Sequence, residues 1–195
     1  MDESVNIEAV RAEALRKLGR NIVNFSKIEG VFKYLLAMSQ LEGNGQTISE
    51  LLLKNQTRLR KQTLGKLVDE FNKIFSRDAS QSEPIPDFSD EEISWSLKVT
   101  YDNPDFLKLQ NRAFKRIVTE RNRLIHQDLA RFDTNSIEDC HNLITVLDEQ
   151  NPRLLAQLEE LMRLIENLRK SLKAFKDLSQ SPDFLQSIPS NQSNA

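Results

Sequence analysis

Leu15-Arg16-Lys17-Leu18-Gly19-Arg20-Asn21-Ile22-Val23-Asn24-Phe25 is the stretch on which the fold class turns. Leu15, Leu18, Ile22 and Phe25 recur at spacings of three and four, and Phe32 and Leu36 extend the same stripe. Apolar residues at that period mark an amphipathic α-helix, and the pattern predicts one long helix from about Asn6 to Gln40. The position missing from the stripe between Phe25 and Phe32 is Glu29. A carboxylate on an apolar stripe is costly unless it is paired or solvated by a cleft. Either Glu29 holds a basic residue of another helix, or it lines a polar site and orients an Arg or His there.

Working outward, Glu42-Gly43-Asn44-Gly45 ends this helix, and Thr47-Ile48-Ser49-Glu50 has the form of a capping box opening the next. Leu51 to Leu53, Leu59, Leu64, Leu67, Val68, Phe71, Ile74 and Phe75 form its core face. A bend is expected around Gln56 to Gln62, where polar and basic residues take over. Gly65 inside this helix signals close packing against a neighbour, since a phosphate-cradling loop needs more glycines. Ser76 to Asp90 reads as a polar, Pro-containing loop. Ile93, Trp95, Leu97, Val99 and Tyr101 then alternate with polar residues, which predicts a short strand near 93–101, with a helix capped by Ser89 as the rival.

Asp105 to His126 is the next predicted helix, with Phe106, Leu109, Ala113, Phe114, Ile117, Val118, Leu124 and Ile125 on its core side. The chain is helical again from Ser136 to about Leu178, interrupted or kinked near Asn151-Pro152. Leu154, Leu158, Leu161, Ile165, Leu168, Leu172 and Phe175 form a coiled-coil-like seam that closes a bundle or binds a second copy. Residues 1–178 read as a single helical domain. The Ser-, Gln- and Asn-rich segment 179–195 reads as a disordered tail.

Composition narrows the functional classes. With five Gly and six Pro in 195 residues, turns are few and helices long. No stretch approaches the ~18 apolar residues of a membrane span, and the acidic, polar N-terminus does not resemble a signal peptide. A single cysteine, Cys140, excludes an internal disulfide and fits a reducing cytoplasm. One Cys and two His give no zinc-ligand spacing, and no Walker loop, dinucleotide fingerprint or nucleophile elbow is present. No cofactor is expected.

The net charge of −2 does not mark a nucleic-acid binder, but the charge is unevenly placed. Lys54, Arg58, Arg60, Lys61 and Lys66 form one basic run without an acidic residue. Lys108, Arg112, Lys115, Arg116, Arg121, Arg123 and Arg131 stand against only Glu120 and Asp128 in a second. Taken alone, each run is an ordinary solvated helix face. Beside a phosphate-handling motif, such runs make an RNA-binding surface, with Lys115, Arg116, Arg123, Arg58, Arg60 and Lys61 as its candidates.

That motif is Arg121-Asn122-Arg123-Leu124-Ile125-His126. Asn122 and His126 are four apart and share a helix face. Arg121 stands roughly 140° from His126 on an ideal α-helix. Imidazole changes charge near neutral pH and guanidinium never does, a combination suited to phosphate chemistry.

Arg-Asn-x-x-x-His near the end of a helix in an all-α chain resembles the HEPN superfamily, whose signature is an Arg, a polar residue and then a His. The resemblance implies a HEPN-like bundle of long antiparallel helices. It implies a metal-independent endoribonuclease with Arg121, Asn122 and His126 as catalytic residues, and Glu29 in the supporting place of the family's polar companion. Members of this kind are homodimers with a composite site, commonly toxins or antiviral effectors restrained by a cognate antitoxin or regulatory protein. In one branch a nucleotidyltransferase partner modifies a Tyr two residues after the motif His. Asp128 stands there, which puts that mode of control in question. Other members are non-catalytic helical modules, adaptors or partners of nucleotidyltransferases, and this is the alternative reading.

Overall fold

A computed structural model describes residues 3–39, 42–43, 48–75, 95–96 and 104–182. The fold is all-α. In order, α1 spans Glu3–Ser39, α2 Ile48–Arg60, α3 Leu64–Phe75 and α4 Pro104–Arg123. A π-helical turn, Leu124–Asp128, joins α4 to the short α5, Leu129–Arg131, and α6 runs Ile137–Ser179. Two strand pieces, β1 (Glu42–Gly43) and β2 (Trp95–Ser96), pair antiparallel with Glu42 opposite Ser96. The remainder of the alternating stretch 93–101, the stretch 76–90 expected as a loop, and the segment 183–195 lie outside the described residues.

The chain divides into two compact units, Met1–Leu161 and Met162–Ala195, with the boundary inside α6. In the first unit an aromatic cluster ties three helices together. Phe32 of α1 meets Phe71 of α3 edge-on at 5.2 Å and Phe114 of α4 at 5.0 Å. Phe71 and Phe114 are 5.6 Å apart, also edge-on, and Phe75 stacks on Phe71 at 4.0 Å. Edge-to-face pairs place a ring's positive rim on its neighbour's negative face, worth about 0.5–1.5 kcal/mol each beyond burial. Gly65 brings α3 close to α4: a Cβ there would stand 3.5 Å from Val118 Cγ1. The pairs Gly65–Val118 and Phe71–Phe114 make α3 and α4 antiparallel.

The α1–α6 contact is of another kind. Asn21 Nδ2 donates to the Leu147 carbonyl (2.9 Å) and to Gln150 Oε1 (3.0 Å), and Asn24 Nδ2 donates to Asn151 Oδ1 (3.0 Å). Lys17 and Arg20 both pair with Asp148. Residue numbers rise together on both helices, so α1 and α6 run parallel there. Asn21, Asn24 and Gln150 are buried, which corrects the expected stripe: Leu15 and Ile22 are 46% and 42% exposed, and the true core face passes through Ala14, Asn21, Phe25, Ile28 and Phe32. Leu109, expected inside, is 63% exposed.

Helix limits follow local chemistry. Between α2 and α3 the chain breaks at 61–63, where a bend was expected. Gln62 N–H donates to the Leu59 carbonyl and Leu67 N–H to the Thr63 carbonyl, which starts α3. Ser136 caps α6, its Oγ accepting from Asp139 N–H at 3.1 Å. The expected interruption at Asn151-Pro152 does not occur, and α6 is unbroken through Pro152. Pro has no N–H for the carbonyl one turn back. The Leu147 carbonyl, whose helical donor is Asn151 rather than Pro152, accepts in addition from Arg20 Nη2 of α1 (3.4 Å).

In the second unit, α6 continues to Ser179. Ile165 and Leu168 of the seam are buried, whereas Phe175 is 44% exposed. No helix among the described residues is long and apolar enough to cross a membrane.

Candidate active site

Arg121 and Asn122 occupy the last α-helical turn of α4, and His126 lies in the π turn that follows. Leu124, fully buried, anchors this turn in the core, and its carbonyl accepts from Leu129 N–H, five residues on. The wider i→i+5 turn fits in an extra residue. It therefore rotates His126 back around the axis towards the face of Arg121, relative to the ideal α-helix. Such single-turn insertions are often found at functional sites.

Arg121 is half-buried and its Nη1 donates to Asn122 Oδ1 at 3.3 Å, so Asn122 steadies the guanidinium at the base of the turn. His126 is exposed, and its imidazole makes no hydrogen bond among the described residues. Arg123 Nε pairs with Asp128 Oδ1 at 3.3 Å, a bridge across the π turn at its own five-residue spacing.

Pairing trims the basic surface that the residue count implies. Glu120 Oε1 accepts from Arg116 Nε and from Arg153 Nε, each at 2.9 Å, the second contact fixing α4 to α6. Arg58 forms a two-armed bridge to Glu70 at 3.0 and 2.7 Å, which raises its already high pKa. Lys115, Arg60 and Lys61 are exposed. Among the described residues no contact joins the Arg58, Arg60 and Lys61 group to the motif.

Glu29 has a partner that neither sequence reading named. It accepts from Lys33 Nζ on its own helix at 2.7 Å, and the same Nζ donates to the Arg60 carbonyl at 3.3 Å. Glu29 thus helps tie α1 to the end of α2, and no described contact joins it to Arg121 or His126. Cys140 is fully buried and desolvation raises its thiol pKa, while the adjacent His141 is exposed. No cluster of three His, Cys, Asp or Glu able to hold a metal ion occurs among the described residues.

Beside the π turn lies a cavity of about 260 Å³. Arg123 and Asp128 line it from the motif side, Arg131 and Phe132 from the connector, and Asp139 and Asn142 from the first turns of α6. Its residues all fall within 123–146, but it forms only where the chain turns from the π turn into α6, so no linear pattern announced it. The only sequence trace is Phe132, an aromatic set among charged residues in a connector. Searches against family models, characterised proteins and solved structures return no match to this chain.

Proposed function

We propose that this chain is a HEPN-type, metal-independent endoribonuclease acting as a homodimer. The observation that carries the reading is the exposed, unbonded imidazole of His126 on a π turn, beside the Arg121–Asn122 pair. An imidazole that exchanges protons with RNA has to be reachable and uncommitted, and the exposure of His126 supports that role.

The 2′-hydroxyl of RNA is its own nucleophile, so the protein need only move protons and stabilise the charged phosphorane. His126 takes the 2′-OH proton as O2′ attacks phosphorus. Arg121 holds the non-bridging oxygens through two N–H groups, with Asn122 fixing its pose. The P–O5′ bond then breaks and the leaving oxygen takes a proton from a second imidazolium. A two-fold dimer supplies that group from the partner's copy of the motif. The products are a 2′,3′-cyclic phosphate and a 5′-hydroxyl. Positioned proton transfer contributes roughly 10²–10⁴-fold. An enzyme of this kind is toxic to its host unless restrained, which fits a toxin or antiviral effector held by a cognate partner protein.

The test is substitution. Arg121→Ala and His126→Ala each abolish cleavage while leaving helical content and self-association unchanged. Loss of folding in both variants would make the motif structural. The rival reading, a non-catalytic helical interaction module, draws on the exposed apolar side chains of α1, Leu15, Ile22 and Val23. It expects both variants to bind partners as the wild type does.

A further inference from the structure

We infer that the cavity beside the π turn is a nucleobase subsite, holding a guanine within a nucleotide or two of the cleaved phosphate. The role rests on the ribonuclease reading; the binding itself does not.

A base is a flat ring that needs apolar contact on its faces and hydrogen bonds at its edge. At about 260 Å³ the cavity has room for roughly eight or nine waters at about 30 Å³ each, the size of a nucleoside. Leu143 and Val146 form its apolar floor, and the half-buried ring of Phe132 gives a stacking wall. Asp139, Asn142, Leu143 and Val146 fall on one face of α6, so edge-reading and face-packing groups point into the same space.

The polar groups fit this ligand. Arg123 and Arg131 balance Asp128 and Asp139, so the lining carries no net charge. That suits a neutral heterocycle better than a phosphate group. Asn142 offers both a donor and an acceptor. Asp139 uses Oδ2 to accept from Asp133 N–H at 3.0 Å, which leaves Oδ1 as an acceptor. Guanine presents an N–H and an amino group side by side on one edge, and a carboxylate is their natural partner. Arg131 has no ion pair among the described residues, so its guanidinium is open to the nucleotide's phosphate. Arg123 and Asp128 lie on the turn that carries His126, so the cavity is within about one helix diameter of the motif, a span one or two nucleotides bridge.

The experiment uses full-length His126→Ala protein, which cannot cleave, titrated with 5′-GMP and 5′-CMP by calorimetry. Wild-type cleavage sites on RNA are mapped in parallel. GMP should bind more tightly than CMP. Phe132→Leu and Asn142→Ala, both at surface-accessible positions, should each weaken GMP by roughly tenfold, the scale of one stacking or edge contact. Asp139→Asn should erase the preference for GMP, and in the cleaving protein it should relax the base preference within a nucleotide or two of the cut. Equal binding of the two nucleotides, or GMP binding untouched by all three substitutions, overturns the subsite. Cleavage with unaltered site preference in these variants overturns the subsite and leaves the ribonuclease standing. Guanine-selective binding without any cleavage by wild type does the reverse.

Discussion

The two halves of α1 are held by opposite means. Around Phe32 the helix packs through aromatic rings against α3 and α4. Around Asn21 it is joined to α6 by buried amides and a backbone carbonyl, flanked by the Lys17, Arg20 and Asp148 ion pairs. The ring cluster resists loss of volume, because interiors relax only partly around a hole. The amide seam resists loss of a partner, because a buried group left unpaired bears its full desolvation penalty. Apolar packing accepts many neighbours, whereas the amides accept one register only.

The largest effect is expected at the aromatic centre. Phe114→Ala should destabilise the protein by about 3–5 kcal/mol, measured as a lower urea midpoint. A loss below about 1 kcal/mol would mean that the rings are not the keystone of the three helices. Next comes the seam. Asn21→Ala strands the buried Gln150 Oε1 and should cost about 1–3 kcal/mol. The double change Asn21→Leu with Gln150→Leu should recover part of that loss, since both partners are then apolar. A double variant weaker than the sum of its parts would show that the amides are held by more than each other.

Gly65 gives a smaller test. An added methyl would meet Val118 at ordinary contact distance, so Gly65→Ala should be neutral or stabilising by up to about 1 kcal/mol. Gly65→Leu, which overfills the α3–α4 approach, should destabilise. The smallest effect is the seam's pH dependence. Hydrogen bonds from Lys17 and then Arg20 depress the Asp148 carboxyl below its usual range. A depressed carboxylate adds stability above its unfolded pKa, and that contribution is lost as pH falls through its folded value. Acid titration of stability should therefore be shallower in Asp148→Asn than in wild type, and added salt should narrow the difference.

Reading the sequence located the helices but mistook one face. The break between α2 and α3 and the close approach at Gly65 both showed in local composition. The α1 stripe was read through Leu15 and Ile22, yet the core face runs through Asn21 and Asn24. Hydrophobicity stands in for burial only where no distant polar partner exists, and the partners here lie more than 120 residues away. Of the interruption or kink expected at Asn151-Pro152, the interruption is absent: α6 runs on through Pro152. At the candidate site, Arg121, Asn122 and His126 were picked out by a pattern and its resemblance to a family. The π turn that carries His126 was not, because an extra residue in a turn leaves no compositional trace. Glu29 was singled out correctly as an anomaly, but its partner Lys33 was overlooked one turn along the same helix.

The central claim is that His126 does chemistry, and one digest tests it most directly. Purified protein is incubated with total RNA in EDTA beside His126→Ala, and the product ends are analysed. The account predicts 2′,3′-cyclic phosphate and 5′-hydroxyl ends from wild type and none from the variant. Equal background from both proteins would contradict it.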